Sequence, residues 1–83
     1  MNTIKNTRYI SEEHTDRIKK IGEKIRELRK EKEPSYETFA YKNGLNRMSY
    51  FNVEKGNNLQ VSTLLKILDG LDITLEEFFK GLQ

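Results

Sequence analysis

An all-α chain of five helices joined by short connections is the fold class this sequence predicts, and three observations predict it. Apolar residues recur at helical spacing in two stretches, "HTDRIKKIGEKIRELRKEKEP" and "VSTLLKILDGL". Helix-starting and helix-ending residues punctuate the chain at short intervals. No segment alternates apolar and polar residues with the period of two that a half-buried strand needs. The 83 residues are enough for one domain and too few for two, and a chain this short hides only about 60 to 65% of its unfolded surface, so its core must be economical.

In the first stretch Ile18, Ile21, Ile25 and Leu28 fall on one face, with Lys, Glu and Arg on the others. Ser11 or Thr15 can cap its start, and Pro34 pushes Glu33 out of the helical region, which predicts an end near Lys32. Residues 1–10 show no clear period and are expected to form an arm, leaving 11–83 as the folded domain. Ser35 is the cap of a second helix, which runs to about Lys42 and holds Glu37 in its first turn, where the helix dipole favours an acid. Gly44, beside Asn43, supplies the positive backbone angle of a sharp turn. Asn46 can cap a third helix from Arg47 to about Lys55, ended by Gly56, and "GNNLQ" reads as a loop.

A fourth helix carries an apolar stripe of Val61, Leu64, Leu65, Leu68 and Leu71, with Gly70 weakening its end. Thr74 and Glu77 have the spacing of a capping box that opens a fifth helix, with Ile73 placed to staple the entry against Phe78. That last helix holds Leu75, Phe78, Phe79 and Leu82.

Composition excludes several functions. There is no cysteine, so neither a disulfide frame nor a thiolate metal site is available, and the lone His14 lacks partners for a zinc site. No carboxylate pair, nucleophile with a histidine base or glycine-rich phosphate loop is present, so the chain is not expected to be an enzyme or to need a cofactor, and no small-molecule ligand is evident. No apolar run approaches the roughly 18 residues of a membrane span, and "MNTIKNTRYI" lacks the apolar middle of a secretory signal; a cytoplasmic protein is expected. The net charge of +2 divides unevenly, as +4 over residues 1–32, 0 over 33–60 and −2 over 61–83. One end therefore suits an anionic partner, although a solvated lysine-rich helix face reads equally well from charge alone.

The most idiosyncratic stretch is "FAYKNGLNRMSYFNVEKG", residues 39–56. Two short helices joined by a three- or four-residue turn containing Gly, with a small residue where they cross, make a helix-turn-helix unit. Ala40 is small because a larger side chain would push the third helix off the second. At about 100° per residue, Tyr50, Val53 and Glu54 share the inner face of the third helix. Met48, Phe51 and Asn52 point the opposite way, with Arg47 at the flank and Asn46 at the tip.

Over residues 21–79 the landmarks "IRELR", "S-x3-FA", "NGL", "V-E-K-G", "LLKIL" and "LDITLEEFF" resemble the Xre, or Cro and phage-repressor type, helix-turn-helix DNA-binding family of prokaryotes and phages. The resemblance covers about seven tenths of the chain and implies a five-helix lambda-repressor-like domain. In that family the third helix enters the major groove, the second crosses the DNA backbone, and two subunits bind two half-sites. Here that implies a transcriptional regulator, a repressor by expectation, that binds double-stranded DNA as a homodimer through residues 46–55.

Carried over residue by residue, the base-reading positions fall on Asn46, Arg47, Met48 and Asn52. An arginine can bond both major-groove acceptors of guanine, an asparagine can bond adenine in the same two-point way, and a methionine can touch a thymine methyl. Arg47 alternatively only pairs with a nearby carboxylate, and Asn46 alternatively is only a cap. The family's phosphate contacts map to Ser35 and Tyr36 and to Lys55, Gly56, Asn57 and Asn58, with Lys42, Lys5 and Arg8 as supporting charges. The chain departs from its relatives where Tyr36 stands in a usual Gln position and where the loop reads "NNL" rather than a basic run. Non-specific affinity is therefore expected to be modest.

Arg29 and Glu54 sit where the family places an internal ion pair, and an acid on an inward helix face needs a partner. Phe39, Tyr50, Phe78 and Phe79 read as core, whereas Tyr41 and Phe51 look outward. Leu75, Phe79 or Leu82 either form a dimer patch or pack only in the core. The competing function is a protein-interaction module, an antitoxin-type protein partner with DNA contact secondary, to which the exposed Phe51 and Met48 give weight.

Overall fold

The computed structural model describes residues 11–57 and 59–82. The arm expected over 1–10, with Lys5 and Arg8, and the phosphate contact expected at Asn58 lie outside them. The described residues form five α-helices: α1 (Glu12–Lys32), α2 (Tyr36–Lys42), α3 (Arg47–Glu54), α4 (Val61–Leu71) and α5 (Leu75–Lys80). Among the described residues there is no strand, and none of these helices is long and apolar enough to cross a membrane.

Local chemistry accounts for most helix ends. Ser11, not Thr15, caps α1 by accepting from the His14 amide, and the acids Glu12 and Glu13 occupy its first turn. Glu33 is already extended ahead of Pro34, and α1 stops there. Ser35 and Asn46 accept from the Thr38 and Ser49 amides to start α2 and α3. The Thr74–Glu77 capping box is complete, at 3.0 Å in each direction. Accepting the Thr74 amide holds the exposed Glu77 carboxyl below the ordinary carboxylate range.

α1 is the spine, packed by α2, α3 and α4, while α2 also packs on α3 and α4 on α5. The core joins Ile25 of α1, Phe39 and Ala40 of α2, Tyr50 and Val53 of α3, Leu64, Ile67, Leu68 and Leu71 of α4, and Phe78 of α5. Two glycines allow close approaches between helices. A Cβ on Gly22 would stand 2.4 Å from the Val53 carbonyl oxygen, so α1 and α3 touch backbone to backbone there. A Cβ on Gly70 would meet the Asn43 side chain at 2.5 Å, and that side chain donates to the Phe39 carbonyl at 2.8 Å.

Gly70 has a second role besides its low helix propensity: it seats the α2–α3 turn against α4, which ends at Asp72 in the left-handed conformation, φ 61°. The α4 stripe is rotated relative to the one expected. Ile67 is fully buried, whereas Val61 and Leu65 are 70% and 44% exposed; the face of α4 that packs inward carries Leu64, Ile67, Leu68 and Leu71. Phe79 is 38% exposed rather than core: it lies edge-on to the buried Phe78, 5.2 Å between ring centres, and this six-residue helix buries one residue fully. Phe51 does not look outward freely either, as described below.

Candidate nucleic-acid interface

The turn between α2 and α3 holds its shape through backbone bonds. Leu45 N–H donates to the Ala40 carbonyl at 2.9 Å and Gly44 N–H to Tyr41 at 3.3 Å, with Gly44 at φ 66°. Glycine, having no Cβ, adopts that angle at least cost. Ala40, 1% exposed, lies under the crossing and lets α3 sit directly on α2.

The inner face of α3 is fastened to α1 by an enclosed polar cluster. Arg29 donates to Glu54 at two points, Nε to Oε2 at 2.9 Å and Nη2 to Oε1 at 2.8 Å. Arg29 Nη1 also donates to the Glu33 and Pro34 carbonyls at 3.2 and 2.8 Å, so the same guanidinium ties down the chain that leaves α1. The Tyr50 hydroxyl donates to Glu54 Oε2 from one helical turn away. Each buried charge therefore has a charged partner and further hydrogen bonds, the condition under which burial is tolerated. The hydrogen bonds that Arg29 donates to Glu54 raise the Arg29 pKa further, and burial followed by the neighbouring carboxylate raises that of the Tyr50 phenol.

With that face anchored, the opposite edge of α3 faces outward. Asn46, Arg47, Met48 and Asn52 are all exposed, Met48 at 55%. Met48 and Asn52 share the side of α3 turned away from the core, with Arg47 at its flank and Asn46 at its N-terminal tip. Asn46 uses Oδ1 as the helix cap, which leaves its amide NH₂ toward solvent. Arg47 Nη1 donates to Glu37 Oε2 of α2 at 3.0 Å.

The expected phosphate-contact residues are disposed unequally. Lys55 and Asn57 are exposed at the end of α3, beside Gly56 at φ 94°. Gly56 abuts α1, since a Cβ there would lie 2.7 Å from the Lys19 side chain. At the start of α2, a carboxylate already occupies the Ser35 amide: Ser35 N–H donates to Glu33 Oε2 at 3.1 Å, and Glu33 Oε1 takes Lys42 Nζ at 3.5 Å. The Ser35 hydroxyl is likewise used as the α2 cap.

Tyr36 and Phe51 stack across the α2–α3 interface with ring centres 5.0 Å apart, and Lys55 Nζ stands 5.4 Å from the Phe51 centroid. Phe51 is thus half-buried. It braces α3 and carries a cation over its face, a favourable arrangement for the ring quadrupole. That Arg47 pairs with a carboxylate was one of the two alternatives open from the sequence, and Glu37 is that carboxylate; the pairings of Glu33 with Ser35 and Lys42 were not foreseen. Their one legible signal was a pair of acids flanking the start of the second helix.

Compared with known proteins, the chain matches no family model, no curated protein and no solved structure.

Proposed function

We propose that the α2–turn–α3 unit is a helix-turn-helix of the Xre, or Cro and phage-repressor, type and that the protein is a cytoplasmic, sequence-specific regulator of transcription, by expectation a repressor. α3 enters the major groove. Asn46, Arg47, Met48 and Asn52 read base edges there, and Lys55, the Gly56 and Asn57 backbone and the Tyr36 hydroxyl contact phosphates. Because the Glu33 carboxylate sits at the Ser35 amide, the phosphate contact expected at Ser35 passes to Tyr36. The observation that carries this reading is the two-sidedness of α3. One face is buried and fastened through Glu54 and Tyr50, and the exposed positions at the tip, flank and outer side carry amides, a guanidinium and a thioether. A rigid short helix that presents such an edge is what groove readout requires.

The protein acts without a cofactor and binds as a homodimer on a two-fold site. Leu75 and Phe79, one turn apart on α5 and 45% and 38% exposed, supply apolar surface for the second copy. The two copies of α3 are then about 34 Å apart, one turn of duplex. Selection of bound fragments from random double-stranded DNA tests the proposal. A recovered palindrome with half-sites one turn apart supports it, and recovery of no preferred sequence overturns it.

A second reading has its own observation. Met48, Val61 and Leu65 are exposed apolar side chains, and the cations Lys42 and Arg47 are each paired with a carboxylate. These features suit a protein partner, and a chain that recovers no DNA but co-purifies with one defined protein in stoichiometric amount favours that function.

A further inference from the structure

Among the described residues, the charged side chain that pairs with a proposed base-reading residue is an acid, an unexpected charge next to a polyanion. Glu37 lies in the first turn of α2, and its Oε2 accepts from Arg47 Nη1 at 3.0 Å. Both side chains are more than half exposed, 61% for Arg47 and 55% for Glu37, so the contact adds little to folding stability. Its consequence lies in where it leaves the guanidinium. An arginine has five N–H donors in a planar fork, and Glu37 engages one of them. The remaining edge stays free for a pair of acceptors such as guanine N7 and O6. A long side chain on the rim of a helix otherwise samples many rotamers and must be ordered on binding.

Resting on the DNA-binding reading above, we infer that Glu37 is a positioning and specificity-determining residue: it holds Arg47 over the groove in a base-reading orientation, and its negative charge weakens contact with any duplex that offers Arg47 no base partner. The two effects have opposite signs for correct and incorrect sites. On a matched site the carboxylate and the guanine share one guanidinium and the charge is balanced. On a mismatched site an arginine freed from Glu37 turns to the nearest phosphate, a contact that carries no sequence information. Glu37 restrains that turn and is itself repelled by the backbone. The carboxylate thus lowers non-specific affinity more than specific affinity.

The two components separate with two substitutions. Glu37→Gln removes the charge and keeps a carbonyl oxygen that can accept from Arg47, whereas Glu37→Ala removes both. The full-length chain is titrated by fluorescence anisotropy against the duplex recovered by selection and against a scrambled duplex, at low and moderate salt. Both variants are expected to bind the scrambled duplex about threefold or more tighter, with the gain shrinking as salt rises. Glu37→Ala is expected to lower the matched-to-scrambled affinity ratio by about fivefold to tenfold, part of what one two-point base contact contributes, and Glu37→Gln by distinctly less. In an Arg47→Ala background neither substitution at position 37 should change the ratio, since the effect is transmitted through Arg47. If the ratio is the same for Glu37→Ala and the unsubstituted chain, or if its change persists without Arg47, the positioning role is overturned while the DNA-binding reading stands. If the unsubstituted chain binds neither duplex, both are overturned.

Discussion

Arg29 and Glu54, twenty-five positions apart on α1 and α3, meet at two points, 2.9 and 2.8 Å, with each side chain 5% exposed. That pair, completed by the Tyr50 hydroxyl, attaches the proposed reading helix to the longest helix of the fold. Breaking it from one side leaves a bare buried charge. Arg29→Met or Glu54→Gln is expected to lower the stability of unfolding by about 3 to 5 kcal/mol in urea titration. The double variant Arg29→Met with Glu54→Gln should lose distinctly less than the two single losses combined, because it leaves neither charge behind.

Tyr50 sets a pH limit. Its folded pKa is raised, first by burial and then by the Glu54 carboxylate, so the folded chain keeps the phenol proton where the unfolded chain releases it. Unfolding then releases a proton, and stability falls with rising pH. The contribution is fully present below the unfolded phenol value of about 10 and is lost progressively above it. Urea midpoints measured from pH 8 upward should be level at first and then decline. Tyr50→Phe, which at neutral pH loses about 1.5 to 3 kcal/mol with the charged hydrogen bond, should decline less steeply over the same alkaline range.

Gly22 invites a substitution whose two effects oppose each other. In an isolated helix, Gly to Ala favours the helix by about 1 kcal/mol. Here the added methyl would lie 2.4 Å from the Val53 carbonyl oxygen and 3.2 Å from the Glu54 carbonyl oxygen, and α3 must move to admit it. Gly22→Ala is expected to destabilise by about 1 to 3 kcal/mol net in thermal or urea unfolding. A stabilised variant would show that α1 and α3 have room between them.

The rotation of α4 predicts a contrast within one helix. Ile67→Ala, at a fully buried site, should cost about 2 to 5 kcal/mol. Val61→Ala, at a site 70% exposed, should stay within about 0.5 kcal/mol of the parent. Equal losses at the two positions would mean that α4 presents its other face to the core.

For the proposed DNA complex, Arg47→Ala is expected to cost about 1 to 3 kcal/mol on the selected site and to relax preference at one base pair. Lys55→Ala should weaken all sequences alike and reduce the salt slope by about one. If Arg47→Ala leaves the ranking of sequences intact, Arg47 does not read a base.

Much of the fold was legible in the chain because its signals are local. Pro34, Gly44 and Gly56, the caps Ser35, Asn46 and Thr74, and the 3.6-residue recurrence of Ile and Leu act within a few residues of themselves, so helix number and ends could be read in order. The inward orientation of Tyr50, Val53 and Glu54 was legible for the same reason. Which of several apolar residues on α4 would be covered was not: Ile67, Leu65 and Val61 are equally apolar, and only the placement of α1 and α5 chooses among them.

Neighbours along the chain suffice for the five helices, for the caps at Ser35, Asn46 and Thr74, and for the polar character of the exposed side of α3. Tertiary structure alone decided the backbone contact at Gly22, the seat of Asn43 on Gly70, the Tyr36–Phe51 stack and the hold of Glu37 on Arg47. Each joins residues on different helices, and a distance of a few ångströms between helices depends on how all five pack together, which no local pattern encodes.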